Sequence, residues 1–384
     1  MQPRRRLPEK RSSRPFSGRP HGVPNVAAVC TRLRGAFSVR RVDGGSVARV
    51  EGGEWQGASS FFDLDVKSIL NPPESTGMGF WSLNPYVGCE LGCTYCYARY
   101  AHRYVTERAH ASGQLSPVEF ARFQEPSSWE GFERQIFVKR RQAVLAALER
   151  DLARLHLRNA SGSASPIVIG TATDPYQPAE QRFHITRSIL RRLLATRELA
   201  ISLITKSPRI CRDLDLLRKL QARHRLVVYI SLISIDVSII KRFEARSPMP
   251  HARLGALQQL TDAGITAGIN AAPVLPGITD SAFQIDSLMA AARDAGAAFV
   301  HPAVLRFYPA VRDGYLPIVE QQFPNLIPRY RAAYRGNWDA PPNYAAAVQR
   351  RFQRAARKYR MSTDDPLQVR EQQQLEREAQ LSLL

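Results

Sequence analysis

Three of the chain's five cysteines, Cys89, Cys93 and Cys96, fall within eight residues of the stretch NPYVGCELGCTYCYARY, which runs from Asn84 to Tyr100. Thiolates spaced C-x3-C-x2-C can wrap one side of a cubane iron–sulfur cluster: each soft sulfur takes one iron, and the short spacers keep all three on one loop. The fourth iron is then left without a protein ligand, and an open iron can chelate a small molecule. A closed structural zinc site wants four ligands, usually in two paired sets; no second C-x2-C or H-x3-H pair is present, which leaves Cys30 or Cys211 as the only further thiols. An odd and small number of cysteines does not suggest a disulfide framework.

A cysteine loop needs a rigid element before it, and MGFWSLNPYVG reads as a first core strand that Asn84–Pro85 breaks where the loop begins. The segment from Tyr97 to Ala109 suits a helix with Tyr97, Tyr100 and Tyr104 at helical spacing, a pattern that usually signals packing. Residues 111–135 are turn-rich and read as an insertion, and QIFVKRR as an edge strand. RQAVLAALERDLARLHL has its apolar positions Val144, Leu145, Leu148, Leu152 and Leu155 on one helical face. Beyond it strands and helices alternate. PIVIG, LAISLIT, LVVYISLI, ITAGINAAPV and AFVHPAVLRF are short apolar strands separated by amphipathic helices. With the strand before the cysteines this implies six strands in a parallel sheet curling into a barrel-like layer. Ligands of such sheets bind beyond the carboxyl ends of the strands, where the cysteine loop, Gly170 to Gln177, Thr205 to Ser207 and Ser231 to Asp236 all fall.

The C-x3-C-x-aromatic-C pattern, with Tyr95 as the aromatic, resembles the signature of radical S-adenosylmethionine (radical SAM) enzymes. The similarity continues through GTATDPYQPAE, LITKS, ISLISID, FEARSPMPHARLGALQQLTDAGI and APVLPGITD, in the order and character of a bacterial branch related to spore photoproduct lyase. It covers roughly residues 79–310 and extends more weakly towards 360; ordered motifs are far more specific than one pattern. The resemblance implies a partial (β/α)6 TIM-like barrel of the radical SAM type, with a basic N-terminal arm and a C-terminal helical extension. It also implies a 4Fe-4S cluster on the three cysteines and S-adenosylmethionine, cleaved reductively to a 5′-deoxyadenosyl radical that abstracts hydrogen from substrate. A flavodoxin or ferredoxin is the electron donor to expect. By the same resemblance Gly170 approaches the methionine end, the backbone near Tyr97 contacts adenine, Lys206 approaches the cofactor, and Ser231 meets its carboxylate or ribose. Tyr95, Thr171, Asp174 and Arg246 complete the expected cofactor-binding set; Arg246 and Arg253 could equally be surface residues, and Asp174 and Tyr176 could simply shape a turn. Where the lyase has a cysteine that donates hydrogen, this chain has Thr171, whose O–H bond is too strong for that task, so spore photoproduct lyase activity itself is not expected. Tyr176, or a tyrosine on the helix after the cysteines, is the candidate catalytic replacement.

The formal net charge of +20 is concentrated in two flanks: eleven Arg or Lys against Glu9 in residues 1–41, and nine against Asp339 in residues 329–360. Residues 1–35 read as a disordered basic arm, 36–78 as an N-terminal extension with a small hairpin, 79–310 as the core, 311–361 as a helical extension, and 362–384 as a polar, frayed tail. Arginines interleaved with Tyr330, Tyr334, Tyr344, Phe352 and Tyr359 suit nucleic acid, by phosphate contact and base stacking, as well as plain helix packing. No apolar run approaches the roughly 18 residues that span a bilayer. A monomer in a reducing cytoplasm fits the thiols. The contrasting class is an iron–sulfur redox or nucleic-acid-binding protein that does not turn over S-adenosylmethionine.

Overall fold

The short Ile- and Val-rich runs that read as strands pair side by side, because pairing satisfies their polar backbone groups while a sheet covered on both faces buries their apolar side chains. A computed structural model describes residues 41–42, 59–76, 79–124, 128–159 and 165–367. Its strands are β1 (Arg41–Val42), β2 (Ser60–Leu64), β3 (Leu70–Asn71), β4 (Trp81–Leu83), β5 (Tyr86–Val87), β6 (Gln135–Lys139), β7 (Ile167–Ile169), β8 (Ala200–Thr205), β9 (Arg225–Ser231), β10 (Ala267–Val274) and β11 (Val300–Val304). The main sheet has the order β11-β10-β9-β8-β7-β4-β3. Its six strands from β4 to β11 are parallel, and β3 adds an antiparallel edge. This is the mixed α/β layer expected, open between β11 and β3 among the described residues, consistent with a partial barrel and not a closed one.

A second sheet, β1-β2-β6-β5, corrects one expectation: β6 is not an edge strand but lies between β2 and β5. It brings QIFVK under the chain that leaves β4, because Tyr86 and Val87 pair with Val138 and Phe137. The insertion before β6 is likewise not merely turns: Pro117–Gln124 and Ser128–Arg134 are helical.

Alternation along the strands gives the concave face of the main sheet two ends. At the amino ends Ala200, Val227, Tyr229 and Phe299 pack with Leu367. The carboxyl ends line a cavity instead. The reading of 362–384 as a frayed tail therefore fails for its first residues: Ser362 bridges to Phe299, Tyr229 donates to Asp365 at 2.6 Å, and Leu367 is buried. One leucine in a polar stretch carries no periodicity, yet it closes the floor of the curl. The arm at 1–35, the hairpin as far as residue 58 apart from β1, and the tail beyond 367 lie outside the described residues.

The C-terminal aromatics are packing groups. Tyr330 donates to Pro276 at 2.8 Å, Tyr334 to Leu305 at 2.8 Å, Tyr344 to Asp280 at 2.7 Å and Tyr359 to Asp286 at 3.0 Å, while Phe352 is buried. Their arginine neighbours Arg350, Arg354 and Arg357 remain exposed. These rings tie the helices Ile327–Ala333 and Pro342–Tyr359 to the loops and helix that follow β10 and β11. If the floor is as described, Leu367→Ala costs about 2–5 kcal/mol of unfolding free energy, read as a lowered denaturant midpoint; an unchanged midpoint would mean that the segment does not close the sheet.

Candidate active site

β4 is followed directly by Asn84, whose side chain ties the first two loops of the barrel together. Its Nδ2 donates to Thr171 Oγ1 at 2.9 Å and to Ser82 Oγ at 3.1 Å, and its Oδ1 accepts from the Ala172 N–H at 2.8 Å. The cysteine loop that follows is pinned along its length. Gln177 Oε1 accepts from the Glu90 N–H at 2.9 Å, Glu90 Oε2 accepts from the Ala179 N–H at 2.7 Å, and the Phe243 carbonyl accepts from the Thr94 N–H at 2.9 Å. At the end of β7, Gly170 has φ +93°, and a Cβ there would lie 2.4 Å from the Ile204 carbonyl oxygen. Close packing of β7 against β8 thus requires glycine at a position that also lines the cavity.

These loops enclose a cavity of about 360 Å³, within the range of small-molecule sites. Cys89, Cys93 and Cys96 share one wall with Tyr95 and Tyr97; Thr171, Asp174, Lys206 and Ser231 continue it; Arg306 and Tyr308 stand on the β11 side. Among the described residues no three His, Cys, Asp or Glu side chains converge tightly enough to hold a single metal ion. What the three cysteines present is a set of soft donors on one short loop that line one cavity with open volume beside them, a donor set whose chemistry fits an iron–sulfur cluster. Burial pushes the Cys89 thiol well above its ordinary range, with the nearby Asp174 and Cys93 adding to the shift. Burial likewise pushes Cys93 up to about 11, against the pull of Lys206. Both shifts favour the neutral thiol over the thiolate.

Two buried charge groups frame this wall. Asp174 accepts at Oδ1 from Thr205 Oγ1 at 2.7 Å and the Tyr176 N–H at 2.8 Å, and at Oδ2 from the Lys206 N–H at 2.7 Å, so it fixes the end of β8. Burial works against the Lys206 ammonium, but Cys93, Glu244 and Asp174 outweigh it, and its pKa is raised. The charged Nζ stands 5.6 Å from the centre of the Tyr95 ring. Behind Tyr95, Glu244 accepts from the Tyr95 hydroxyl and pairs with Arg253, which also donates to the Ser231 carbonyl at 2.9 Å. Burial alone would raise the Glu244 carboxyl; Arg253 and then Lys206 hold it below its ordinary value.

The structure brings together Cys89, Cys93, Cys96, Tyr95, Tyr97, Gly170, Thr171, Asp174, Lys206 and Ser231, and leaves two candidates out. Tyr176 is fully buried and off the cavity, donating to Asp213 at 3.1 Å beneath Arg212, so it is a structural tyrosine and not a replacement hydrogen donor. Arg246 does not line the cavity either; it braces the cysteine loop from behind, donating to the Glu90 carbonyl at 2.8 Å and pairing with Glu133. Thr171 is committed to its neighbours, with its Oγ1 2.5 Å from Ser82 Oγ. Asn84, Glu244, Arg306 and Tyr308 also belong to the site, though no sequence motif marks them: Asn84 before a proline reads as a strand breaker, and Glu244 lies in a segment whose arginines are the more evident candidates.

The fold is thus a parallel six-stranded curl with three cysteines on the loop after β4, facing a cavity at the carboxyl ends of the strands. The sequence pattern of the radical SAM superfamily matches residues 83–286, and the chain belongs to that superfamily, whose members are enzymes that use S-adenosylmethionine and an iron–sulfur cluster. An uncharacterized protein of Mycobacterium tuberculosis is 30% identical over 322 residues, covering 83% of this chain and 86% of the relative. An uncharacterized protein of Methanocaldococcus jannaschii is 25% identical over 222 residues, covering 58% of this chain and 70% of the relative. Among solved structures, a spore photoproduct lyase variant superposes with a TM-score of 0.50 at 14% identity, over 73% of this chain and 74% of that one, a likeness of fold.

The Glu244–Arg253 pair has no exposed atoms to rehydrate. Replacing Arg253 by Met strands a buried carboxylate and is expected to cost about 3–5 kcal/mol, part of which a Glu244→Gln, Arg253→Met double variant recovers. Because the folded Glu244 carboxyl lies below its ordinary value of 4.5, its contribution is complete above that pH and is lost as pH falls through the folded value. Urea unfolding from pH 7 to pH 3 should therefore show a shallower acid loss in the double variant than in the parent; identical slopes would remove the pair from the stability balance.

Proposed function

We propose that the chain holds a 4Fe-4S cluster through Cys89, Cys93 and Cys96 and binds S-adenosylmethionine in the adjoining cavity, as a radical SAM enzyme acting on nucleic acid. The observation that carries this is the shared wall: three thiols face one cavity, and a half-buried, charged Lys206 stands among the polar groups beside them. When bound, the cluster and S-adenosylmethionine together supply a 5′-deoxyadenosyl radical able to abstract hydrogen from a substrate carbon. The chain's own part is binding, orientation and exclusion of water. Lys206 offers a point charge to a carboxylate and offsets its desolvation. The Ser231 hydroxyl lies on the same wall. The Tyr97 hydroxyl donates to the Thr171 carbonyl, which fixes its ring at the edge of the cavity; the backbone there would contact the adenine of a bound cofactor. Apolar groups from β10 and β11, including Ala272, Pro273 and Leu305, exclude water from the side where substrate enters.

Nucleic acid as substrate class is supported by the net charge of +20 and by the β11 side of the cavity. There Arg306 lies 5.9 Å from the Tyr308 ring, and that ring lies 5.4 Å from Trp338, which is 36% exposed. Aromatic faces beside a guanidinium are what base stacking and phosphate contact use. A flavodoxin- or ferredoxin-type donor would supply the electron, and we propose a monomer. With Tyr176 buried and Thr171 committed to Ser82 and Asn84, we assign no side chain as hydrogen donor.

Anaerobically reconstituted protein given S-adenosylmethionine and a strong reductant is expected to form 5′-deoxyadenosine, and the Cys89→Ala, Cys93→Ala, Cys96→Ala triple variant none. A loaded cluster without product would favour the redox or binding-protein reading. Lys206→Ala should weaken S-adenosylmethionine binding by about 1.5–3 kcal/mol, the scale of a charge-assisted contact, measured by titration calorimetry. Binding to single-stranded oligonucleotides should weaken steeply and log-linearly with salt. Affinity that ignores salt, or that survives Arg306→Ala and Trp338→Ala unchanged, would rule out this substrate face.

A further inference from the structure

We infer that Glu133 is a positioning residue that clamps the cysteine loop from its outer side, a role that links the insertion at 112–134 to the site. Glu133 lies at the end of the helix Ser128–Arg134 and is largely buried. Its Oε1 pairs with Arg99 Nη2 at 2.5 Å and its Oε2 pairs with Arg246 Nη2. Each arginine holds a carbonyl of the cysteine loop: Arg99 Nη2 donates to Cys93 O at 2.8 Å, and Arg246 Nε donates to Glu90 O at 2.8 Å. The residue before Glu133 joins in, since the Phe132 carbonyl accepts from the Cys89 N–H at 2.9 Å.

The clamp therefore grips the turn from Cys89 to Cys93 at both ends, through residues 34 and 113 positions apart from Glu133. Gly92 sits between: its φ is +65°, and a Cβ there would lie 2.8 Å from Arg246 Cζ, so the guanidinium rests on bare backbone. Only a carboxylate fits the centre. Two acceptor oxygens meet two guanidinium groups, whereas an amide would turn its N–H2 towards one of them. Two arginines without the carboxylate between them would repel each other across the loop. The consequence is a loop held in shape before any metal arrives, with the Cys93 side chain largely buried even though it borders the cavity. A preset ligand loop loses less entropy on binding.

The test uses the metal-free full chain, so it does not depend on the cluster assignment. Cys93 is buried, and its alkylation by iodoacetamide reports loop opening; Cys211, far along the chain and half-buried, reports general loosening. Glu133→Gln and Arg246→Gln are each expected to raise the Cys93 rate about tenfold relative to Cys211, equivalent to about 1.4 kcal/mol of local opening. The double variant should exceed the larger single effect by little, as for one cooperating unit. An unchanged Cys93 rate, or one that rises only in step with Cys211, overturns the proposal. Should Glu133→Gln yield no folded protein, Arg246→Gln, which keeps the Arg99–Glu133 pair, carries the same comparison. The second readout rests on the function proposed above: after reconstitution, Glu133→Gln should lose iron to a chelator about tenfold faster than the parent. A parent that takes up no iron defeats the cluster assignment and leaves the alkylation result to decide the clamp; a reconstituted variant that keeps iron as well as the parent counts against it.

Discussion

Charge buried without water must be balanced by charge, and that constraint organises the mouth of this sheet. Asp174 follows β7, Lys206 follows β8, and Glu244 and Arg253 come from the helical segment after β9; all but the half-buried Lys206 lie beneath the surface near the thiols. None could stay there singly, because an isolated ion in such surroundings would be neutralised or expelled. Together they form a chain in which each carboxylate meets a cation or several N–H and O–H donors. The cost of stripping water from these groups is high, so the pairs are weak evidence for stability. Their effect is to fix where Tyr95, Ser231 and the end of β8 stand.

The same economy appears outside the cavity. Arg99, Arg246 and Glu133 repeat the pattern behind the cysteine loop, where main-chain carbonyls are the groups to be satisfied. A loop without regular secondary structure has many such carbonyls and few internal partners for them. Here the partners come from the neighbouring loops, from β6 and its helix, and from the chain after β9. The cysteines thus sit on an irregular segment with the rigidity of an element.

The two walls of the cavity differ in kind. On the cysteine side the polar groups are bonded into place, and Asp174 takes three protein donors on its two oxygens. On the β11 side the lining is largely apolar, with Arg306, Tyr308 and the half-open Trp338 towards solvent. A fixed wall suits one invariant small molecule, and a wall that opens to the surface suits a larger guest entering from outside.

The sequence by itself determined the layer order and the ligand loop. Six apolar runs separated by amphipathic helices can pack stably only as a covered parallel sheet, and three cysteines on one short loop stay together in any fold. Position relative to the strands was enough to bring Gly170, Thr171, Lys206 and Ser231 to one mouth. Tertiary structure alone decided which way side chains face. Tyr176 and Asp174 are two residues apart on one turn, yet one points into the core and the other towards the cavity. Arg246 was legible as a basic residue after β9, but not as the back of the cysteine loop, because its partner Glu133 lies 113 positions away. Leu367 closes the floor from within a polar segment for the same reason. Local pattern encodes periodic contacts within an element, whereas pairings between distant segments depend on where the chain returns, which no window of sequence contains.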